Sequence, residues 1–97
     1  MPFAIIFAPE AVHDLKRLTA NVRATVRDAI KTHLRHEPGK LSRSRIKRLR
    51  GQRPPQYRLR VGDVRVFYDI SGTTVEILAI VAKSEANAWL AQFGSQG

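Results

Sequence analysis

The sequence predicts an α+β domain in the order β-α-α-β-β-β, closed by a short C-terminal helix. Three observations carry this. Apolar residues recur at helical spacing between Ala11 and Leu34. They alternate with polar ones from Tyr57 to Ile70. Two turn signals, Gly62-Asp63 and Ser71 to Thr73, divide the second half into hairpins. A chain of 97 residues is expected to form a single domain over 1–97, with one modest core.

Phe3 to Phe7, rich in β-branched and aromatic residues, reads as a short first strand. Pro9 ends it and suits the first turn of a helix, where its missing N–H costs nothing. Ala11, Leu15 and Leu18 follow at helical spacing. Asn21 is a candidate N-cap for a second helix with Val22, Val26, Ala29, Ile30 and Leu34 as its apolar stripe. Pro38-Gly39 stops that helix. Residues 40–55 read as a loop with a short helical turn around Ile46 and Leu49, and Pro54-Pro55 excludes a regular element there. Val75 to Val81 are almost continuously apolar, as expected of a central strand covered on both faces. Ser84 is a candidate N-cap for the last helix, with Trp89, Leu90 and Phe93 as packing anchors.

Charge is concentrated. The formal net charge is +9. Residues 38–62 hold nine basic groups and no acid: Lys40, Arg43, Arg45, Lys47, Arg48, Arg50, Arg53, Arg58 and Arg60. Before them six basic residues meet four acidic ones, and after them two meet four. A block of one sign repels itself, so a polyanion or an acidic protein is the expected partner. The chain has no cysteine, which excludes disulfides, thiolate zinc sites and a cysteine nucleophile. Its N-terminus lacks the features of a signal peptide and no apolar run approaches a membrane span, so a cytoplasmic protein without membrane contact is expected. His13, His33 and His36 are not spaced as a metal set, and no metal or other cofactor is expected.

The hairpin around Gly62-Asp63 carries the functional argument. A two-residue loop sets Val61 opposite Val64, Arg60 opposite Arg65, Leu59 opposite Val66 and Arg58 opposite Phe67. Leu59, Val61, Val64 and Val66 then share the core face, while Arg58, Arg60, Arg65 and Phe67 share the other. Like charges directly opposed destabilise a sheet, so Arg60 against Arg65 is a cost that folding does not explain. Guanidinium groups grip phosphate oxygens in a bidentate fork and can stabilise charge on a phosphoryl group under attack. Phe67 offers a ring on which a base could stack. The plainer account is a solvent face with splayed arginines.

The segment Tyr57-Arg58-Leu59-Arg60-Val61-Gly62-Asp63-Val64-Arg65-Val66-Phe67-Tyr68 resembles the central hairpin of the RelE/ParE superfamily of bacterial toxins. Leu49-Arg50-Gly51 resembles the Leu-x-Gly that precedes it there. The resemblance implies a four-stranded antiparallel sheet packed on two helices. It implies a toxin of a type II toxin–antitoxin system, silenced by an antitoxin that lays an acidic amphipathic segment over the basic face. In the RelE-like branch the activity is metal-free cleavage of mRNA on the ribosome, by attack of a ribose 2′-hydroxyl on the adjacent phosphate. By position, Arg58 and Arg60 match basic residues of the active sheet, and Arg65 an arginine that contacts the scissile phosphate. Where RelE-like nucleases carry an arginine and then a tyrosine after the last strand, this chain has Ser84 and Leu90.

The expected catalytic set is Arg58, Arg60, Arg65, Lys83 and Glu85, with Glu85 the candidate base and Lys83 a phosphate ligand. Glu85 suits the first turn of a helix better than it suits a base, and Lys83 equally suits a solvated strand end. The expected RNA-binding set is Lys40, Arg43, Arg45, Lys47, Arg48, Arg50, Arg53 and Phe67, facing ribosome and mRNA. Tyr57 and Tyr68 fall on the core face. The alternatives are a ParE-like inhibitor of DNA gyrase, a toxin fold that only binds its antitoxin, and a generic RNA-binding module.

Overall fold

The computed structural model describes residues 2–51 and 53–93. Its elements are β1 (Ala4–Phe7), α1 (Pro9–Lys16), α2 (Ala20–Leu34), β2 (Ile46–Arg48), β3 (Tyr57–Val61), β4 (Val64–Ser71), β5 (Thr74–Ala82) and α3 (Lys83–Phe93). The strands form one five-stranded sheet in the order β1-β5-β4-β3-β2. The α+β class and the element order agree with the sequence. The sheet has one strand more than expected, and it is mixed, because β1 runs parallel to β5.

The extra strand lies inside the basic loop. Ile46 pairs with Leu59 and is buried, while Lys47 pairs with Arg58 and Arg48 with Tyr57. No helical turn forms around Ile46. A β-branched residue beside an exposed strand finds both a ladder and a core there.

Helices α1 and α2 cover one face. Pro9 occupies the first turn of α1. The cap of α2 is Thr19, whose Oγ1 accepts the Val22 N–H at 3.4 Å, and not Asn21, which lies within the helix. Arg23 ties the two helices: its guanidinium donates to the carbonyls of Leu15, Lys16 and Leu18 at 3.2, 3.1 and 2.9 Å. Those carbonyls lie at the end of α1 and in the turn that follows it, where intrahelical partners run out. Ala11, Leu15, Val26, Ile30 and Leu34 pack on Leu59, Val66, Tyr68, Val75, Ile77 and Ile80 as the main core. Val22, at the start of the expected stripe, is exposed.

The other face is covered in part by α3. The helix follows β5 directly, so Ser84 lies inside it rather than capping it. The Lys83 N–H donates to the Asp63 carbonyl at 2.7 Å, fixing the start of α3 to the β3–β4 turn. Ala86 packs on Phe67 and Ala79, with Leu49, Val81, Trp89 and Leu90 around them. Between these two cores lies β5. Phe67 pairs with Ala79 and Tyr68 with Ile77, which leaves Leu78 as an extra residue. The bulge lets Ile77 and Ile80 both face the helical hairpin while Ala79 and Val81 face α3.

Candidate nucleic-acid interface

The β3–β4 hairpin has the register its turn demands: Arg60 opposite Arg65, Arg58 opposite Phe67, Leu59 opposite Val66 and Val61 opposite Val64. Gly62 takes φ 57°, a left-handed conformation that glycine adopts without strain. Arg58, Arg60 and Arg65 therefore share the outer face, and β2 adds Lys47 beside Arg58. Among the described residues none of these four is in a salt bridge; the ion pairs are Arg17–Asp14 and Lys40–Glu37.

The three arginines differ in environment. Arg60 is exposed, and its backbone N–H donates to the Arg45 carbonyl at 2.8 Å. Arg65 is only 7% exposed, and its Nη1 donates to the carbonyls of Gly62 and Val64 at 2.8 and 3.1 Å. It closes the turn as well as contributing charge. Arg58 is half-buried. Its Nη2 reaches the Ser44 carbonyl at 3.5 Å, while its Nε is buried with no hydrogen-bond partner. Burial, then the positive charges of Arg65 and Arg60, push the Arg58 guanidinium below its ordinary pKa. The cluster is thus short of negative charge, and an anion on this face would relieve it.

The remaining expected residues divide. Lys83 and Glu85 are exposed at the start of α3, beside the hairpin turn. Lys40, Arg43, Arg45, Arg50 and Arg53 are exposed in the segments that flank β2. Arg48 is exposed but belongs to the other side of the sheet, where Nη1 donates to the Tyr57 hydroxyl at 3.2 Å and the guanidinium lies 5.1 Å from the Tyr57 ring centre. Phe67 corrects an expectation. It does lie on the arginine face, but it is fully buried, stacked on Trp89 at 4.9 Å between ring centres. A ring so covered offers no surface to a base. Tyr57 and Tyr68 lie on the core face and stack on each other at 5.4 Å.

Lys47 was legible only as a member of a basic run; its place beside Arg58 depends on β2, a strand of three residues. Among the described residues no three His, Cys, Asp or Glu side chains converge to hold a metal. No described helix is long and apolar enough to cross a membrane. Exposed Arg60 and Lys47 can hold a phosphate, and the more buried Arg58 and Arg65 behind them can stabilise added negative charge on a phosphorus.

Known proteins share the fold. Residues 5–87 match the family model of the ParE toxin of type II toxin–antitoxin systems, parDE. No curated protein matches the chain in sequence. Among solved structures, the chain is similar to one in the RelBE2 toxin–antitoxin complex from Mycobacterium tuberculosis. The two are 28% identical with a TM-score of 0.70, over 84% of this chain and 99% of that one. It is also similar to a chain of the RelB–RelE antitoxin–toxin complex from Methanococcus jannaschii, at 22% identity and TM-score 0.66, over 87% and 96%. A third likeness is to the archaeal RelE–RelB complex from Pyrococcus horikoshii, at 22% and 0.64, over 86% and 97%.

Proposed function

The chain belongs to the ParE toxin family of type II toxin–antitoxin systems, and we propose that it is a toxin that cleaves mRNA on the ribosome and is silenced by a cognate antitoxin. The observation that carries this reading is the cluster of Arg58, Arg60 and Arg65 with Lys47, crowded on one sheet face without acidic partners. In the reaction a ribose 2′-oxygen attacks the adjacent phosphorus and the bond from phosphorus to the 5′-oxygen breaks. The products are a cyclic phosphate and a free 5′-hydroxyl. The proton of the 2′-hydroxyl passes to a base, for which Glu85 is the candidate, and the departing oxygen takes up a proton in turn. Arg58, Arg60 and Arg65 offset the charge that gathers on the phosphoryl oxygens. The exposed cations Lys40, Arg43, Arg45, Arg50 and Arg53 face RNA. The antitoxin is a protein with an acidic amphipathic segment, which would lower the net charge of the complex below that of the toxin. No membrane, metal or cofactor takes part in this scheme.

The test is mRNA cleavage on programmed ribosomes, mapped by primer extension. Arg60→Ala is the informative variant, because Arg60 is exposed and its side chain holds no part of the fold. Cuts within the A-site codon that disappear in Arg60→Ala and Arg65→Ala support the reading. Absence of cuts by the folded protein overturns it. A second reading, inhibition of DNA gyrase, is favoured by the parDE family match and by Ser84 and Leu90 standing where RelE-like nucleases carry arginine and tyrosine. DNA damage with translation intact would establish that reading instead.

A further inference from the structure

A second cationic site lies apart from the arginine cluster. An open pocket of about 230 Å³ is bordered by His33, His36, Glu37, Lys40, Ser42 and Arg45. It sits between the end of α2 and the segment that leads into β2. Its one acid, Glu37, is exposed and 3.9 Å from Lys40. The end of α2, a place of partial negative charge, is partly neutralised because the Phe3 N–H donates to the Arg35 carbonyl.

Ser42 is the informative residue. Its Oγ accepts the N–H groups of Arg45 and Ile46, both at 2.9 Å. A serine hydroxyl has two acceptor positions and one hydrogen. With both lone pairs engaged by the backbone, the hydrogen is directed away from them and remains to donate. The Ser42 N–H donates to the Ile46 carbonyl at 3.0 Å, and the Arg45 carbonyl accepts from the Arg60 N–H at 2.8 Å, so this donor stands on a fixed backbone. Hydroxyl, guanidinium, ammonium and imidazole thus border one pocket that holds a single, already paired acid.

We propose that this pocket binds one phosphodiester group, gripped by Arg45, Lys40 and the Ser42 hydroxyl, with His33 as a proton-linked fourth ligand. The inference deepens the reading above and rests on it for the identity of the polymer, an RNA strand passing the β2 edge. Arg45 is tied through its carbonyl to the backbone of Arg60, so the pocket adjoins the strand that carries part of the arginine cluster. His33 is held below its ordinary pKa by burial and by the charge of Arg45. The charged and titratable groups around it are Arg45 and Lys40 from the loop, and His36 and Glu37 after α2; Lys31 and Arg35 of α2 border a different groove, against β1. An anion bound beside Arg45 removes the repulsion and favours protonated His33. Binding then takes up a proton and strengthens as pH falls.

The experiment is NMR titration of the full chain with dimethyl phosphate, whose own charge is constant over the range in which histidine titrates, about pH 5 to 8. A saturable shift of the His33 ring resonance, with affinity rising towards low pH, is expected. Arg45→Ala should weaken binding by about tenfold or more, and His33→Gln should abolish the gain in affinity towards low pH. Equal titrations of wild type, Arg45→Ala and Ser42→Ala, or an affinity that does not change with pH, would overturn the pocket. A normal titration by a protein that cleaves no mRNA overturns the nuclease reading and leaves the pocket standing.

Discussion

Phe67 and Trp89 stack almost parallel, their ring centres 4.9 Å apart and their planes 6° from one another. This pair joins α3 to the sheet, and Trp89 is the only tryptophan in the chain. Its fluorescence therefore reports whether α3 is docked. Phe67→Leu should move Trp89 emission to the red and increase its quenching by acrylamide, while far-UV circular dichroism keeps the sheet. The loss beyond buried area should be about 0.5–1.5 kcal/mol. An unchanged emission spectrum would contradict the docking of α3 on the sheet.

Arg60 and Arg65 are directly opposed on β3 and β4. Removing one charge should make the protein more stable while removing its function. Arg60→Thr is expected to raise unfolding stability by about 0.2–1 kcal/mol, read by urea titration, and added salt should stabilise the wild type more than the variant. A destabilised Arg60→Thr would mean that Arg60 makes favourable contacts in the native state.

Asp14 shows how much of the fold was not legible in the sequence. Its Oδ2 accepts the Ile80 N–H at 3.0 Å, beyond the point where β1 stops pairing with β5. Asp14→Ala leaves that donor without its partner and should cost about 1–3 kcal/mol. Hydrogen exchange at Ile80 should quicken more than at Val66. Nothing in the local sequence joins positions 14 and 80, because the bond depends on the parallel placement of β1. The hairpin, by contrast, was readable pair by pair, since a two-residue turn and strict alternation leave one register. The fifth strand was hidden by its length of three residues. The cover over Phe67 was hidden because a face can be assigned from alternation, but what packs on that face cannot.

Tyr68 is fully buried and donates its hydroxyl to the Pro38 carbonyl at 2.6 Å. Burial, and then neighbouring Tyr57, push its pKa far above that of a free tyrosine, so it stays protonated. Tyr68→Phe removes the donor and leaves a buried carbonyl. The expected cost is about 1–3 kcal/mol, measured as a lower urea midpoint with an unchanged slope.

The low pKa of His33 has a sign for stability. The unfolded chain takes up the proton at the ordinary value, about 6.5, and the native protein only at a lower pH. Stability is therefore intact above the unfolded value and declines as pH falls from it to the native value, with no further loss from this group below both. His33→Asn should flatten unfolding curves across that interval. An equal pH dependence in the variant would assign the effect to another group.

The strand order places β5, the last strand to be made, between β1, the first, and β4. During synthesis the arginine hairpin leaves the ribosome before the segment that will join it to the N-terminal strand. At that stage the β4 edge is unpaired and Phe67 has no helix above it. Closing the sheet must wait until residues up to Ala82 are free, which sets a delay between translation of the basic residues and the covering of the β4 edge beside them.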